Sequence, residues 1–171
     1  MEFFETIRTR CAVRGMDPTR KVEPEKLEAI LEAGRTAPTA KNMQPQRIYV
    51  LQSSEALQMA EELTICTFHA PVILVICADQ DEAWKHYLTG ETRAETDAAI
   101  VTTHMMLAAH ALGLGSTWVA RFDTALAREK LGLPASVVPY AMLPIGYPAP
   151  DVPDSPNHGV RKPLSDTVTY L

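Results

Sequence analysis

Residues 72–77 read Val-Ile-Leu-Val-Ile-Cys, an unbroken apolar run in which most side chains are β-branched. A strand with one face in solvent alternates apolar and polar residues, whereas a strand buried on both faces does not. The run therefore predicts the central strand of a sheet.

The chain on either side of this run supplies the other elements of an α+β fold. Strands are predicted at 47–52, 115–121 and 138–145. Helices are predicted at 2–9, at 22–34, from Ser53 or Ser54 to about Leu63, at 95–112 and from Asp123 to Gly132. The element order predicts one domain over residues 1–171 with mixed α/β layers and one sheet.

The residues from Gly146 onward predict a tail rather than further elements. Five prolines in the next 17 residues exclude regular structure up to Pro163. We expect an extended tail from about residue 147. Apolar side chains are expected to anchor it, namely Val160, Leu164, Val168 and Tyr170.

The predicted helix at 95–112 is apolar almost all the way round. From Ala98 to Leu112 its polar side chains are Thr102, Thr103, His104 and His110. A helix of this composition is buried on most sides, and one sheet in a chain of 171 residues cannot easily cover it. A second copy of the chain is the simplest cover, so a homodimer is expected.

Composition and missing motifs limit the function classes. A net charge of −5 argues against a general nucleic-acid partner. The sequence contains no run of 18 apolar residues, so no membrane partner is expected. Three cysteines without C-x-x-C spacing, and a start without signal-peptide features, indicate a cytoplasmic protein. The five histidines lack metal-ligand spacing, and neither a Walker A motif nor a G-x-S-x-G elbow occurs, so no metal site and no α/β-hydrolase are expected.

Two basic segments are candidates for binding an anion. Arg10 and Arg14 lie four residues apart near the end of the first predicted helix, and such guanidinium groups can clamp a phosphate. The alternative is a solvated basic face. Arg161 and Lys162 can return from the tail to the same anion, and the alternative for them is a frayed terminus.

Two further segments are candidates for contacting a flat ligand. Between Pro38 and Pro45, the side chains of Thr39, Asn42 and Gln44 can address donors and acceptors on a planar heterocycle, although an ordinary turn would use the same residues. In Leu112–Trp118, two glycines two residues apart let a backbone approach a ligand closely. A glycine helix cap is the alternative for this second segment.

In their order and spacing, these segments resemble the nitroreductase family. The family pattern is similar to I-x-x-R-R-S-x-R, A-P-S-x-x-N-x-Q-P, D-x-x-x…L-A-A-x-x-L-G-L-G-S-x-W, L-x-I-G-Y-P and R-K-P-L. This sequence supplies Ile7…Arg10…Arg14, Ala37-Pro38-Thr39…Asn42-x-Gln44-Pro45, Asp97…Trp118, Leu143–Pro148 and Arg161–Leu164. The resemblance covers nearly the whole chain.

The resemblance implies a three-layer fold with a mostly antiparallel sheet, in an intertwined homodimer with FMN at the interface. It implies that Arg10 and Arg14 hold the FMN phosphate, joined by Arg161 and Lys162. It places the turn of Gly113, Leu114, Gly115 and Ser116 near the isoalloxazine ring. The residues expected to reach the flavin from the other subunit are Pro38, Thr39, Ala40, Asn42 and Gln44.

The sequence departs from the family pattern at two cofactor positions. Cys11 stands where the family has a second Arg, and Ala12 where it has Ser, so one side-chain contact to FMN is lost. A backbone N–H at Ala12 can still serve, and weaker FMN binding is expected. The chain is also short, which leaves residues 79–94 to shape a substrate pocket with Trp84, His86 and Tyr87. A lid-like loop is the alternative for that segment.

The resemblance implies an enzyme that passes hydride from NAD(P)H through flavin N5 to an electron-poor acceptor such as a nitroaromatic, a quinone, a flavin or an enone. One pocket shared by donor and acceptor implies ping-pong kinetics. Alternatives within the fold are a dehalogenase and a flavin-modifying enzyme. Outside enzymes, they are a non-catalytic flavin- or nucleotide-binding module and a ligand-free interaction protein.

Overall fold

The apolar run forms the strand that holds the sheet together. A computed structural model describes residues 2–153 and 155–171 of the chain. In it, β2 (Val72–Asp79) pairs antiparallel with β1 (Gln46–Leu51) on one side and with β4 (Val137–Gly146) on the other. β3 (Gly115–Ser116) pairs with β4 and completes the order β1-β2-β4-β3. All residues from 72 to 78 are buried, which confirms the predicted central strand.

Each predicted helix is present, with its ends within two residues of the predicted ones. The caps explain this agreement: the side chain of Ser53 accepts from Ala56 N–H, that of Asp123 accepts from Leu126 N–H, and Pro24 occupies the first turn. The helices are α1 (Phe3–Thr9), α2 (Pro24–Arg35), α3 (Ser54–Leu63), α4 (Ala94–Ala111) and α5 (Thr124–Lys130), with 3₁₀ turns at Ala40–Asn42 and Leu164–Asp166.

Helices cover both faces of the sheet, as the two-sided burial of β2 requires. Leu74 and Ile76 belong to the apolar core shared with α2 and α4, whereas Ile73 and Val75 belong to the core shared with α3 and α5. This is the predicted three-layer α+β arrangement. Cys77 lies on the α3–α5 side, and burial raises the pKa of its thiol to about 12, so it packs as an apolar side chain.

The predicted strand at 115–121 is wrong in its length. β3 ends at Ser116, and the chain meets β4 again at the isolated bridge between Val119 and Met142. The register of both contacts would pair Thr117 with Pro144. Proline has no N–H to donate, and the remaining bond from Thr117 N–H to Pro144 O is long, at 3.4 Å. The ladder is interrupted there.

The tail after β4 is irregular as predicted, but within one chain the side chains expected to anchor it are not buried. Val160, Leu164, Val168 and Tyr170 are all exposed. The tail instead leaves apolar side chains on the surface of the subunit.

No described helix is long and apolar enough to cross a membrane.

Helix α4 is covered on only part of its circumference. The side chains that face α2 and the sheet, among them Ala98, Val101 and Met105, are fully buried. Ile100, His104 and Leu107 remain partly exposed, although the helix carries few polar residues. Helix α4 therefore carries more apolar surface than one subunit buries, as the sequence indicated.

Candidate active site

The structure brings the first basic segment together with the glycine turn. Ala12 forms a parallel bridge with Ser116, and the N–H of Val13 donates to Ser116 O at 3.1 Å. The hydroxyl of Thr117 donates to Val13 O at 2.6 Å. Residues 10–14 and 113–117 are about 100 positions apart in sequence, and these bonds fix them side by side.

The two glycines of the turn serve different purposes. Gly113, with φ of +78°, closes α4: its N–H donates to His110 O while that of Leu114 donates to Ala109 O, the Schellman pattern. Gly115 permits close approach, because a Cβ there would lie 2.9 Å from the Cβ of Val13. Thus the helix-cap alternative is correct for Gly113, whereas Gly115 lets the Val13 segment approach closely, and the predicted contact with a ligand stays a prediction.

Unpaired polar groups surround this junction. Among the described residues, neither Arg10 nor Arg14 forms an ion pair, and both lie close in sequence to the bridge at Ala12. The hydroxyl of Ser116, in a residue that is 2% exposed, has no described hydrogen-bond partner. Two unpaired cations beside an unsatisfied buried hydroxyl fit an anionic ligand with further polar groups, and FMN is such a ligand.

His110 joins this cluster, although the sequence indicated only a polar side chain in an apolar helix, without metal-ligand spacing. Its Nε2 lies 2.8 Å from the hydroxyl of Thr9. Partial burial lowers the pKa of His110, and the positive charges of Arg10 and His158 lower it further. The charge of His158 shows that the tail returns to this end of the molecule. A lone histidine in an apolar helix gave no signal for these contacts.

Lowering the pH is expected to destabilise the protein through His110. Its folded pKa lies below the ordinary value of 6.5, so the unfolded chain binds more protons between those two values. The stability contributed by the neutral imidazole is therefore complete above about pH 6.5 and is lost as pH falls through the folded pKa. Urea unfolding of His110→Gln should show a smaller loss from about pH 7.5 to 5.5 than the parent protein. Equal losses in the two proteins would contradict this assignment.

Arg161 and Lys162, the predicted tail cations, lie in the same returning segment. The guanidinium of Arg161 donates to the carbonyls of His158 and Val160, both at 2.7 Å. Lys162 is exposed and has no described hydrogen bond or ion pair. His158 of the tail thus lies close enough to His110 to lower its pKa, while Arg161 and Lys162 themselves make no described contact with residues 10–14.

The predicted flavin loop, residues 37–45, is more constrained than an ordinary turn. Lys41, Asn42 and Gln44 all have positive φ, between 51° and 55°. For residues other than glycine this conformation costs about 1 kcal/mol each. The loop is held by bonds from Gln44 N–H to Thr39 Oγ1 at 3.0 Å and from Ala40 N–H to Asp97 Oδ1 at 2.9 Å.

This loop lies at the opposite end of α4 from the predicted phosphate cluster, by which we mean residues 10–14 together with Ser116. The loop is tied to Asp97 near the start of the helix, and the cluster is tied to His110 near its end. About thirteen residues of α-helix separate the two attachment points, roughly 20 Å at 1.5 Å per residue. Within one chain, therefore, the predicted site residues form two groups that do not meet.

The candidate pocket residues lie on a hairpin directly before α4. Lys85 pairs with Thr92, and the N–H of Arg93 donates to Trp84 O at 2.9 Å. The rings of His86 and Tyr87 stack with centroids 5.1 Å apart, and Trp84 meets His86 edge-on at 5.8 Å. This aromatic hairpin therefore stands at the same end of α4 as the flavin loop.

A groove in the described part of the chain lies elsewhere. It has a volume of about 740 Å³ and lies between the segment at 18–22, the start of α3 and residues 67–73. None of the predicted site residues lines it. Since the two halves of the predicted site are apart, no large groove is expected at either half alone.

Comparison with known proteins decides the family. The model of the nitroreductase family matches residues 7–70 and 66–147, which together span most of the chain. The chain belongs to the nitroreductase family. A solved nitroreductase family protein from Clostridium difficile 630 superposes with a TM-score of 0.92 at 38% identity, covering 99% of this chain and 98% of that one.

Curated relatives of this chain include named enzymes. A Thermus thermophilus protein named NADH dehydrogenase is 31% identical over 176 residues, with 84% of each chain covered. A Bacillus subtilis protein named FMN reductase [NAD(P)H] is 31% identical over 146 residues, covering 75% of this chain and 59% of the relative. The fold of the chain agrees with the expectation from its sequence motifs.

Proposed function

We propose that this nitroreductase is an FMN-dependent NAD(P)H oxidoreductase that works as a homodimer with two composite sites. The observation that carries the proposal is the position of the two half-sites at opposite ends of α4. Each half holds groups suited to a different part of one cofactor. The relatives named as NADH dehydrogenase and FMN reductase [NAD(P)H] support this assignment.

A two-fold axis across the middle of α4 joins the halves. Such an axis sets the two copies of the helix antiparallel, so the Asp97 end of one lies beside the His110 end of its partner. The flavin loop of one subunit then meets the phosphate cluster of the other. Two copies of a chain whose own half-sites are roughly 20 Å apart thereby form two complete sites.

Exposed apolar surface also favours a second copy as the cover. On α1, which packs beside α4, Phe3 and Phe4 are 63% and 71% exposed and Ile7 is exposed as well. The partly exposed side of α4 adjoins them, and the tail adds Leu164 and Val168. Large apolar side chains exposed on neighbouring helices favour an interface rather than a solvated face.

Each half-site has a defined task in the proposed enzyme. Arg10 and Arg14 bind the FMN phosphate, with Arg161 and Lys162 adding positive charge from the tail. Ser116 and the glycine turn face the ring system, and the backbone of Ala12 replaces the side-chain contact that Ala12 and Cys11 do not supply. Pro38, Thr39, Ala40, Asn42 and Gln44 of the other subunit orient the ring from its second side.

When bound, FMN supplies the hydride chemistry between NAD(P)H and an electron-poor acceptor, which can be a nitroaromatic, a quinone, a flavin or an enone. The protein leaves one ring face open, and donor and acceptor use that face in turn. The stacked rings of His86 and Tyr87, with Trp84, offer a flat aromatic wall for both. Steady-state kinetics of the ping-pong type, with parallel double-reciprocal lines, are expected.

FMN added to the purified protein is expected to bind and to be bleached by NADH or NADPH under anaerobic conditions. Binding follows from the unpaired cations and the unsatisfied Ser116 hydroxyl, and bleaching follows from oxidoreductase activity. The visible flavin spectrum measures both. Bound flavin that neither nucleotide bleaches would favour a non-catalytic binding module, and a protein that stays colourless would sink the whole proposal.

The protein is expected to have about twice its subunit mass of 18.8 kDa in solution. Replacing Phe3 and Phe4 by serine should shift it towards monomer, because both rings are exposed in the subunit and apolar contacts hold the interface. Light scattering after gel filtration measures the mass, and circular dichroism serves as the control for folding. A monomeric parent protein at micromolar concentration would contradict the composite site.

The state of the three cysteines agrees with the proposed cytoplasmic location. Cys11, Cys66 and Cys77 form no disulfide, and a reducing compartment preserves such thiols.

We place the whole chain in one functional domain, because the core on each face of the sheet draws on residues from both halves of the sequence.

A further inference from the structure

We propose that Asp97 is a positioning residue that holds the flavin loop in its binding conformation through the backbone N–H of Ala40. This rests on the proposed function only for the identity of the ligand. Asp97 itself is one helical turn into α4 and is not expected to touch the reacting atoms. Its action passes through the hydrogen bond to the loop.

The environment of Asp97 is unusual for a carboxylate. It is 1% exposed, and Oδ1 accepts from Ala40 N–H at 2.9 Å. Its other oxygen, Oδ2, is buried and has no described partner. Burying a carboxylate so incompletely satisfied is costly, and apolar residues fill such positions more cheaply. A residue retained there despite its cost points to a task that an apolar side chain cannot perform.

The loop it binds needs an external anchor. Lys41, Asn42 and Gln44 occupy the left-handed region, which unconstrained non-glycine residues rarely visit. Inside the loop, the hydroxyl of Thr39 accepts from Gln44 N–H, and Gln44 Nε2 donates to Asn42 O. Those two bonds stay within the loop. The bond to Asp97 is the described hydrogen bond that ties the 3₁₀ turn at Ala40–Asn42 to a helix of the core.

The chemistry of the pair suits a rigid attachment. A carboxylate accepts a stronger hydrogen bond than a neutral oxygen does, and the start of a helix favours negative charge. Asp97 lies in the first turn of α4, and its backbone N–H donates to Arg93 O, so the acceptor sits on a fixed element. The loop therefore pays its conformational cost before FMN arrives, and FMN binds a surface already in place.

The test compares FMN dissociation constants of four variants, measured by quenching of flavin fluorescence. Asp97→Ala should raise the Kd at least about tenfold. Asp97→Asn keeps a side-chain oxygen acceptor and should stay within about threefold of the parent. The matched control is Thr102→Val: Thr102 is fully buried in the same helix, its hydroxyl donates only to Ala98 O, and its loss should leave the Kd unchanged.

A fourth variant removes the donor without touching α4. Ala40 begins the 3₁₀ turn, and Thr39 before it has φ −127° and ψ 158°, a conformation that proline at position 40 permits. Ala40→Pro should therefore weaken FMN binding as Asp97→Ala does. The double variant should be no weaker than the weaker single one, because both remove the same hydrogen bond. Multiplied effects would overturn the proposal, as would parent-like affinity in Asp97→Ala.

A readout without FMN keeps the result clear if Asp97→Ala folds poorly. Amide hydrogen exchange at Ala40 in the flavin-free protein should be slow in the parent and in Thr102→Val, and fast in Asp97→Ala and in Asp97→Leu. Fast exchange in the parent would overturn the proposal. A parent protein that protects Ala40 but never binds FMN would instead refute the proposed function and leave the positioning bond standing.

Discussion

Replacing Arg10 and Arg14 together by alanine is expected to weaken FMN binding by roughly two to four orders of magnitude. Each guanidinium is proposed to form a charge-assisted bond to the phosphate, worth about 1.5–3 kcal/mol, or roughly 10- to 150-fold in Kd. In the parent, neither side chain has a described ion-pair partner that would compete with the phosphate. Isothermal titration of the flavin-free protein with FMN measures the effect.

Arg8→Ala is the matched control, since it removes the same charge from an exposed position in the last turn of α1. Long-range electrostatic attraction alone would weaken FMN binding similarly in Arg8→Ala and in the single Arg14→Ala variant. Direct phosphate contact predicts a large effect at Arg14 and little at Arg8. If Arg14→Ala binds FMN as the parent does, the phosphate assignment is wrong.

Gly115→Ala is expected to destabilise the protein by about 1–3 kcal/mol and to weaken FMN binding roughly tenfold or more. The added methyl group would lie 2.9 Å from both Cβ and Cγ2 of Val13, and a branched side chain fixed by a strand-like bridge has little room to move. The bridge between Ala12 and Ser116 must open, which displaces the arginine segment from the turn. Thermal unfolding and FMN titration report the two effects separately.

Gly132→Ala provides a comparison in which only the backbone is perturbed. Gly132 has φ of +61°, and a Cβ there meets open space. The change should cost about 1 kcal/mol in stability and leave FMN affinity at the parent value. A Gly115→Ala protein that is destabilised but binds FMN normally would show that the junction of the two segments does not shape the cofactor site.

Local signals explain why most of the fold was predictable. The apolar run at 72–77 identified β2 because burial on both faces leaves no alternation. Capping residues set the helix starts, as at Ser53 and Asp123. β3 was predicted too long because its termination depends on Pro144, a residue of the neighbouring strand. Only the register of that strand shows which position the missing N–H affects.

The candidate site was predictable as segments but not as an arrangement. The arginines, the loop and the glycine turn each carry a local signature. His110 does not, and Asp97 belongs to the family pattern without an indicated partner, because their partners lie 101 and 57 positions away in the chain. The sequence also could not show that a single helix separates the loop from the phosphate cluster. That separation is a matter of three-dimensional placement, and it determines how the segments are combined.

In the proposed dimer, the position of the half-sites at opposite ends of α4 would link FMN binding to protein concentration. If each FMN requires groups from two chains, then binding FMN and pairing of chains share one equilibrium, and each favours the other by mass action. Dilution would release flavin, and added flavin would hold pairs together. A mixed pair, in which one chain lacks its arginines and the other lacks its loop contacts, would keep one intact site out of two.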